Sequence, residues 1–160
     1  MTKPYIKLCS TLNLPREEWL TLRQKGIGGS DAGAILEMNK YGSPFSVYAE
    51  KLGFAPETEA TEPMRFGTDM EPYVAERFVE QTGKKVRRVN AMLQSVAWPF
   101  MQANVDRWLV GENAILECKT ITDRKEVGAI EPHYYVQCMH YMAVTGAERV
   151  YLAMYQRARF

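Results

Sequence analysis

Between Asn104 and Thr120 the chain reads N-V-D-R-W-L-V-G-E-N-A-I-L-E-C-K-T. Two apolar-flanked runs joined by Gly111-Glu112-Asn113 predict a β-hairpin with Asp106 on one strand and Glu117 and Lys119 on the next. Strand side chains alternate faces, so Glu117 and Lys119 point the same way while Leu116 and Cys118 point into the opposite layer. An acid and a lysine on a strand otherwise rich in Ile, Leu and Cys are costly to bury without a purpose. A second carboxylate from the neighbouring strand would complete an oxygen cage suited to a hard divalent cation such as Mg2+. The plainer reading, an ion pair on the surface of an edge hairpin, is equally compatible with the spacing.

Length and composition narrow the setting. The 160 residues fit one domain with a real core, and 46% hydrophobic with 24% charged residues is the balance of an ordinary globular protein. No apolar run is long enough to cross a bilayer, and M-T-K-P-Y-I-K lacks the apolar stretch of a signal peptide. Cys9, Cys118 and Cys138 are odd in number and form no C-x-x-C pair, so neither a disulfide framework nor a zinc site is indicated, and a reducing cytoplasm is the expected location. The net charge of +1 does not announce a nucleic-acid binder. The one dense basic run, Lys84-Lys85-Val86-Arg87-Arg88, reads as a solvated strand edge.

The element order follows from punctuation and periodicity. Arg16 to Gln24 reads as a helix broken by Gly26 and Gly28-Gly29; Ser30 or Asp31 caps a short helix, and Ser43-Pro44 opens another. Phe54 to Pro63 is a polar loop. A longer helix is expected from about Thr68 to Gln81, with Thr68 and Glu71 as a capping box that Pro72 complicates. Strands are expected over Lys84–Asn90, Met101–Val110 and Asn113–Thr120, then a helix over Pro132–Val144 and a strand over Glu148–Tyr155. The result is an α/β chain (α+β, with a mixed sheet): a core of helix, three strands, helix, strand over residues 64–160, preceded by helices and a glycine loop over residues 1–63.

Two further groups carry polar chemistry. Gln137 and Tyr141, four apart, share a helix face with Tyr134 one turn earlier; core filling is the simpler account of the tyrosines. Arg23 with Gly26-Ile27-Gly28-Gly29-Ser30-Asp31 offers glycines for close backbone approach, helix N–H groups, a hydroxyl and a guanidinium, the parts of a phosphate pocket. An ordinary helix–turn–helix connection explains the loop as well. It lacks the G-K-[ST] ending of a nucleotide-triphosphate loop.

Taken in order, Arg23 with G-I-G-G-S-D, then G-T-D-M-E-P, then V-D-x10-E-C-K, then Q-C-M-H-Y, the chain resembles the YqaJ-like viral recombinase family. These are relatives of phage lambda exonuclease within the PD-(D/E)xK nuclease superfamily. The resemblance covers about Trp19 to Tyr155 and implies a restriction-endonuclease-like αβββαβ core in a single nuclease domain. It implies Asp106 and Glu117 as metal ligands with the Cys118 carbonyl and Glu71, Lys119 as catalytic lysine, and Gln137 as the motif glutamine. Arg23 and Ser30 would form a 5′-phosphate pocket, with Tyr141 a further DNA contact. The implied cofactor is Mg2+, with Mn2+ as an alternative. The implied partners are double-stranded DNA ends, a single-strand annealing protein and two further copies of the chain in a ring trimer. Val105 departs from the proline of the superfamily signature, and the chain ends at Phe160, where the family usually continues.

The function expected is therefore a metal-dependent DNA exonuclease, 5′-to-3′, of phage-type recombination in a bacterial or phage-infected cell. Alternatives are a structure-specific or restriction-like endonuclease of the same fold, a non-catalytic DNA-binding module, or a nucleotide-binding regulatory domain built on the glycine loop.

Overall fold

The computed structural model describes residues 2–56, 59–121 and 129–156. The chain opens with a strand the sequence did not announce, β1 (Tyr5–Ser10), followed by helices α1 (Arg16–Gln24), α2 (Gly29–Ile35) and α3 (Pro44–Lys51). In α3 Ser43 is the cap, its hydroxyl accepting the Ser46 N–H at 3.1 Å, and Pro44 takes the first helical position. In α2 the cap is Gly28 rather than Ser30 or Asp31. Asp31 stands three residues in, and its carboxylate accepts the Gly28 N–H at 2.8 Å.

Helix α4 (Glu62–Thr82) starts a turn and a half earlier than expected. Thr61 caps it, accepting the Met64 N–H at 3.4 Å, and the capping box expected at Thr68 and Glu71 is not formed. Thr68 lies mid-helix and donates its hydroxyl to the Met64 carbonyl at 3.1 Å. The helix runs through Pro72 at the loss of one internal hydrogen bond, with Val74 and Ala75 buried directly after it.

Then come β2 (Val86–Arg88), β3 (Ala91–Ser95), β4 (Gln102–Asn104), β5 (Arg107–Leu109), β6 (Ala114–Ile121), helix α5 (Pro132–Thr145) and β7 (Arg149–Gln156). They form two sheets. One has the order β2-β5-β6-β7, antiparallel except for the parallel pair β6 and β7. The other is antiparallel, in the order β1-β3-β4. With β3 and β4 set aside, the remaining order α4-β2-β5-β6-α5-β7 is the helix, three strands, helix, strand order of the sequence. The expected strand over Met101–Val110 is two strands in different sheets, and the chain passes from one to the other at Val105-Asp106. Asp106 therefore stands at a junction rather than on a strand.

Strand β6 is interior and covered on both faces, as a parallel-paired strand of an α/β sheet must be. Ile115 packs with Tyr141 and Val144 of α5, whereas Leu116 and Cys118 pack with Ala75 and Phe78 of α4. Glu117 and Lys119 share the parity of Ile115 and so lie on the α5 side. Among the described residues no helix is long and apolar enough to cross a membrane.

Candidate active site

Alternation along β6 drives Glu117 under α5, where it is only 3% exposed; a surface ion pair on an edge hairpin is thereby excluded. Its Oε1 accepts from Lys119 Nζ at 2.7 Å and from Gln137 Nε2 at 3.0 Å. Its Oε2 is buried with no hydrogen-bond partner among the described residues. Burial holds the Glu117 carboxyl above the usual carboxylate range despite Lys119. Burial works against the charge of Lys119 as well, but Glu117 outweighs it and keeps the ammonium above its ordinary value. The Tyr134 ring lies 5.2 Å from Lys119 Nζ.

Asp106 reaches β6 from the sheet junction: its Oδ2 accepts the Cys118 N–H at 2.8 Å. Burial, and then repulsion from Glu117, pushes its pKa up to about 7. The Cys118 thiol is pushed up to about 12, by burial first and by Asp106 next, so it is no thiolate ligand. Glu71 comes in from α4 but is ion-paired with Arg107, which also donates to the Asp106 carbonyl at 3.0 Å. Arg107 is a participant the sequence reading missed. Its signal was available, because residue 107 has the parity of buried Leu109, and an arginine there needs a partner.

The donor set fits a hard divalent cation on two counts. Two carboxylates converge where burial and mutual repulsion disfavour their charges, and one buried oxygen, Glu117 Oε2, lacks a partner. Among the described residues no three acid, cysteine or histidine side chains stand grouped as a ready-made cage, and Glu71 is paired with Arg107. Mg2+ commonly takes only one or two carboxylates and keeps water for the rest.

Gln137 and Tyr141 do lie together: Gln137 Nε2 also donates to Tyr141 Oη at 3.0 Å. Tyr141, however, is buried in the core, so the expected DNA contact is corrected to a packing role, with its hydroxyl turned to Gln137. Gly29 of α2 abuts the same two side chains: a Cβ there would sit 2.5 Å from Tyr141 Cε1 and 2.9 Å from Gln137 Cγ. The glycine loop is thus latched onto the helix that holds Glu117.

Arg23 and Ser30 are also brought together, Arg23 Nη2 donating to Ser30 Oγ at 3.3 Å. The same nitrogen lies 2.7 Å from Asp31 Oδ1, and Nε lies 3.4 Å from Glu50. Lys51, which the sequence reading passed over, adds an ion pair to Asp31 at 2.7 Å. Burial alone would raise the Asp31 carboxyl, but Arg23, Lys51 and the Gly28 N–H together bring it below the usual range.

The model of the YqaJ-like viral recombinase domain matches residues 18–148. The chain is 44% identical over 146 residues to the uncharacterized protein YqaJ of Bacillus subtilis (strain 168), covering 88% of this chain and 46% of that protein, so it spans about half that relative's length. Its fold is that of an alkaline exonuclease from Laribacter hongkongensis, with a TM-score of 0.67 at 20% identity over 88% of this chain and 74% of that one. The complex of that exonuclease with dAMP gives a TM-score of 0.69 at 20% identity over 87% and 73% of the two chains. With the family's domain matched from α1 to the start of β7, and a relative at this identity, the chain belongs to the YqaJ-like viral recombinase family.

Proposed function

We propose that this chain is the nuclease domain of a metal-dependent DNA exonuclease that digests linear duplex DNA from its ends, 5′-to-3′, in phage-type recombination. The observation that carries the reading is Glu117: a buried carboxylate with one oxygen fixed by Lys119 and Gln137 and the other without a partner, beside Asp106. In that reading Asp106 and Glu117 hold Mg2+ or Mn2+, with Glu71 and the Cys118 carbonyl the further ligands the family resemblance suggests. When bound there, such a cation would supply Lewis acidity and positive charge for hydrolysis of a phosphodiester. Lys119 positions the water or stabilises the charge that develops, Gln137 fixes the rotamer of Glu117, and Arg107 holds Glu71 in place. Arg23 and Ser30 receive the terminal 5′-phosphate. A ring of three copies, an annealing protein for the 3′ strand, and a location in the cytoplasm belong to the same reading.

A second reading has its own observation. Arg23 is already paired with Asp31 and faces Glu50, which leaves the end pocket electrostatically filled and favours internal cleavage by a same-fold endonuclease. A gel assay on linear and covalently closed circular duplex, with and without Mg2+, separates the two. Exonuclease action degrades the linear DNA only with metal, leaves the circle intact, and is lost in Asp106→Asn and Glu117→Gln. Opening of the circle supports the endonuclease. Robust cleavage by either variant, or without divalent metal, removes the assigned site altogether.

A further inference from the structure

Strands β2 and β5 set two arginines directly opposite each other, Arg88 against Arg107. Like charges in register on antiparallel strands repel, so the arrangement is unfavourable unless something negative answers it. For Arg107 the answer is Glu71; this residue is 6% exposed and its charge is matched. Arg88 is exposed, and among the described residues it makes no ion pair.

Both arginines line one cleft of about 170 Å3, together with Asp106, Glu71, Thr11 and Asn90. Alternation along β2 separates the two neighbouring arginines. Arg88 has the parity of Val86, on the side of α4 and the cleft, whereas Arg87 is in register with Trp108, whose ring faces Tyr5 on the other side. Of the basic run Lys84 to Arg88, then, Arg88 is the member that β2 delivers to the cleft beside Asp106.

We propose that Arg88, with Asn90 and Thr11 beside it, binds an internal phosphodiester of the duplex and seats the DNA backbone against the Asp106–Glu117 site. The proposal rests on the nuclease reading above and adds a substrate-binding residue to it. A guanidinium suits a phosphate because it offers paired donors in one plane, and its unmatched charge is what the phosphate supplies.

The test is equilibrium binding of a short blunt DNA duplex, read by fluorescence anisotropy in EDTA over a series of salt concentrations, for the parent, Arg88→Ala, Arg88→Lys and Arg87→Ala. Arg88→Ala should weaken binding about tenfold and lower the salt slope by about 0.9, the value of one phosphate contact. Arg88→Lys should recover most of the slope, and Arg87→Ala should leave both quantities near the parent. In turnover, Arg88→Ala should raise KM with kcat little changed, the mark of lost uniform binding. Equal effects of Arg87→Ala and Arg88→Ala would reduce the run to diffuse surface charge and overturn the proposal, as would an unchanged slope in Arg88→Ala. If the parent binds and degrades duplex while Arg88→Ala matches it, this inference alone fails. If the parent does not bind duplex, the nuclease reading fails and this one with it.

Discussion

Gly29 and Tyr141 touch so closely that a single added carbon on the glycine would lie 2.5 Å from the tyrosine ring. This contact packs α2 against α5 and sets the first turn of α2, with Ser30, beside Gln137, and through Gln137 beside Glu117. In an open helix, alanine in place of glycine stabilises by up to about 1 kcal/mol. Here the sign reverses, because neither the Tyr141 ring, buried on all sides, nor the Gln137 Cγ behind it can move away without repacking the core. Gly29→Ala should therefore destabilise by about 1–3 kcal/mol, read by urea unfolding. A variant as stable as the parent would mean that the two helices do not pack as described.

Lys119 stands against Glu117 at 2.7 Å, in the site proposed for the reaction, and is not among the residues that line the cleft of Arg88. Its benefit should appear in the transition state rather than in ground-state binding. Lys119→Ala should lower the single-turnover rate about 100- to 1000-fold, the usual cost of one preorganised donor. Duplex affinity should change little. An unchanged rate with weakened binding would make Lys119 a plain phosphate contact.

The sequence made the chemistry easier to read than the scaffold, for reasons visible in particular residues. Alternation alone placed Glu117 and Lys119 on one side of β6 and Leu116 and Cys118 on the other, and the two cores confirm that division. Four-residue spacing put Gln137 and Tyr141 together on α5, where they are hydrogen-bonded. Strand β1 was not legible, because Y-I-K-L-C-S becomes a strand only by pairing with β3, more than eighty residues along the chain. The break at Val105-Asp106 was hidden too, since the residues on either side both read as strand and only the divergence of two sheets separates them. The start of α4 was misplaced because Thr68 and Glu71 imitate a cap whose true residue is Thr61. Arg107 was signalled only by its parity with Leu109, whereas Lys51 went unremarked because its importance is a matter of burial and partners, which composition does not reveal.

Asp106, with its pKa pushed up to about 7 by burial and then by Glu117, makes the metal-free protein sensitive to pH in a definite direction. The unfolded value is the ordinary one near 3.8, below the folded value, so the folded state binds the proton more tightly. The stabilisation is complete below about pH 4 and is lost as pH rises through about 7. In EDTA, the Tm of the parent should therefore fall relative to Asp106→Asn over that interval, by an amount equivalent to a few kcal/mol at most. Adding Mg2+ at pH 8 should raise the Tm of the parent but not that of Asp106→Asn, and apparent metal affinity should increase with pH through neutrality. Parallel Tm profiles for parent and variant in EDTA would show that Asp106 titrates normally and is not under the strain described.

The choice between exonuclease and endonuclease turns on the four charges around Ser30. Arg23 and Lys51 face Asp31 and Glu50, two positive groups against two negative ones, so a terminal phosphate must displace or outcompete a carboxylate. Asp31 is buried and doubly paired and will stay; Glu50 is 40% exposed and is the member able to swing away. A 5′-phosphate carries more negative charge than an internal diester, so Arg23 and Ser30 should favour ends that bear one. Digestion of phosphorylated linear duplex should outpace that of dephosphorylated duplex. Arg23→Ala or Ser30→Ala should reduce this preference by about tenfold to a hundredfold, the cost of one charge-assisted contact. Glu50→Gln should sharpen the preference instead, because it removes the competing carboxylate without touching Asp31. Equal rates on both kinds of end in the parent and in Glu50→Gln would remove the end pocket, and with it the main reason to prefer an enzyme that starts at DNA termini over one that cuts within the duplex.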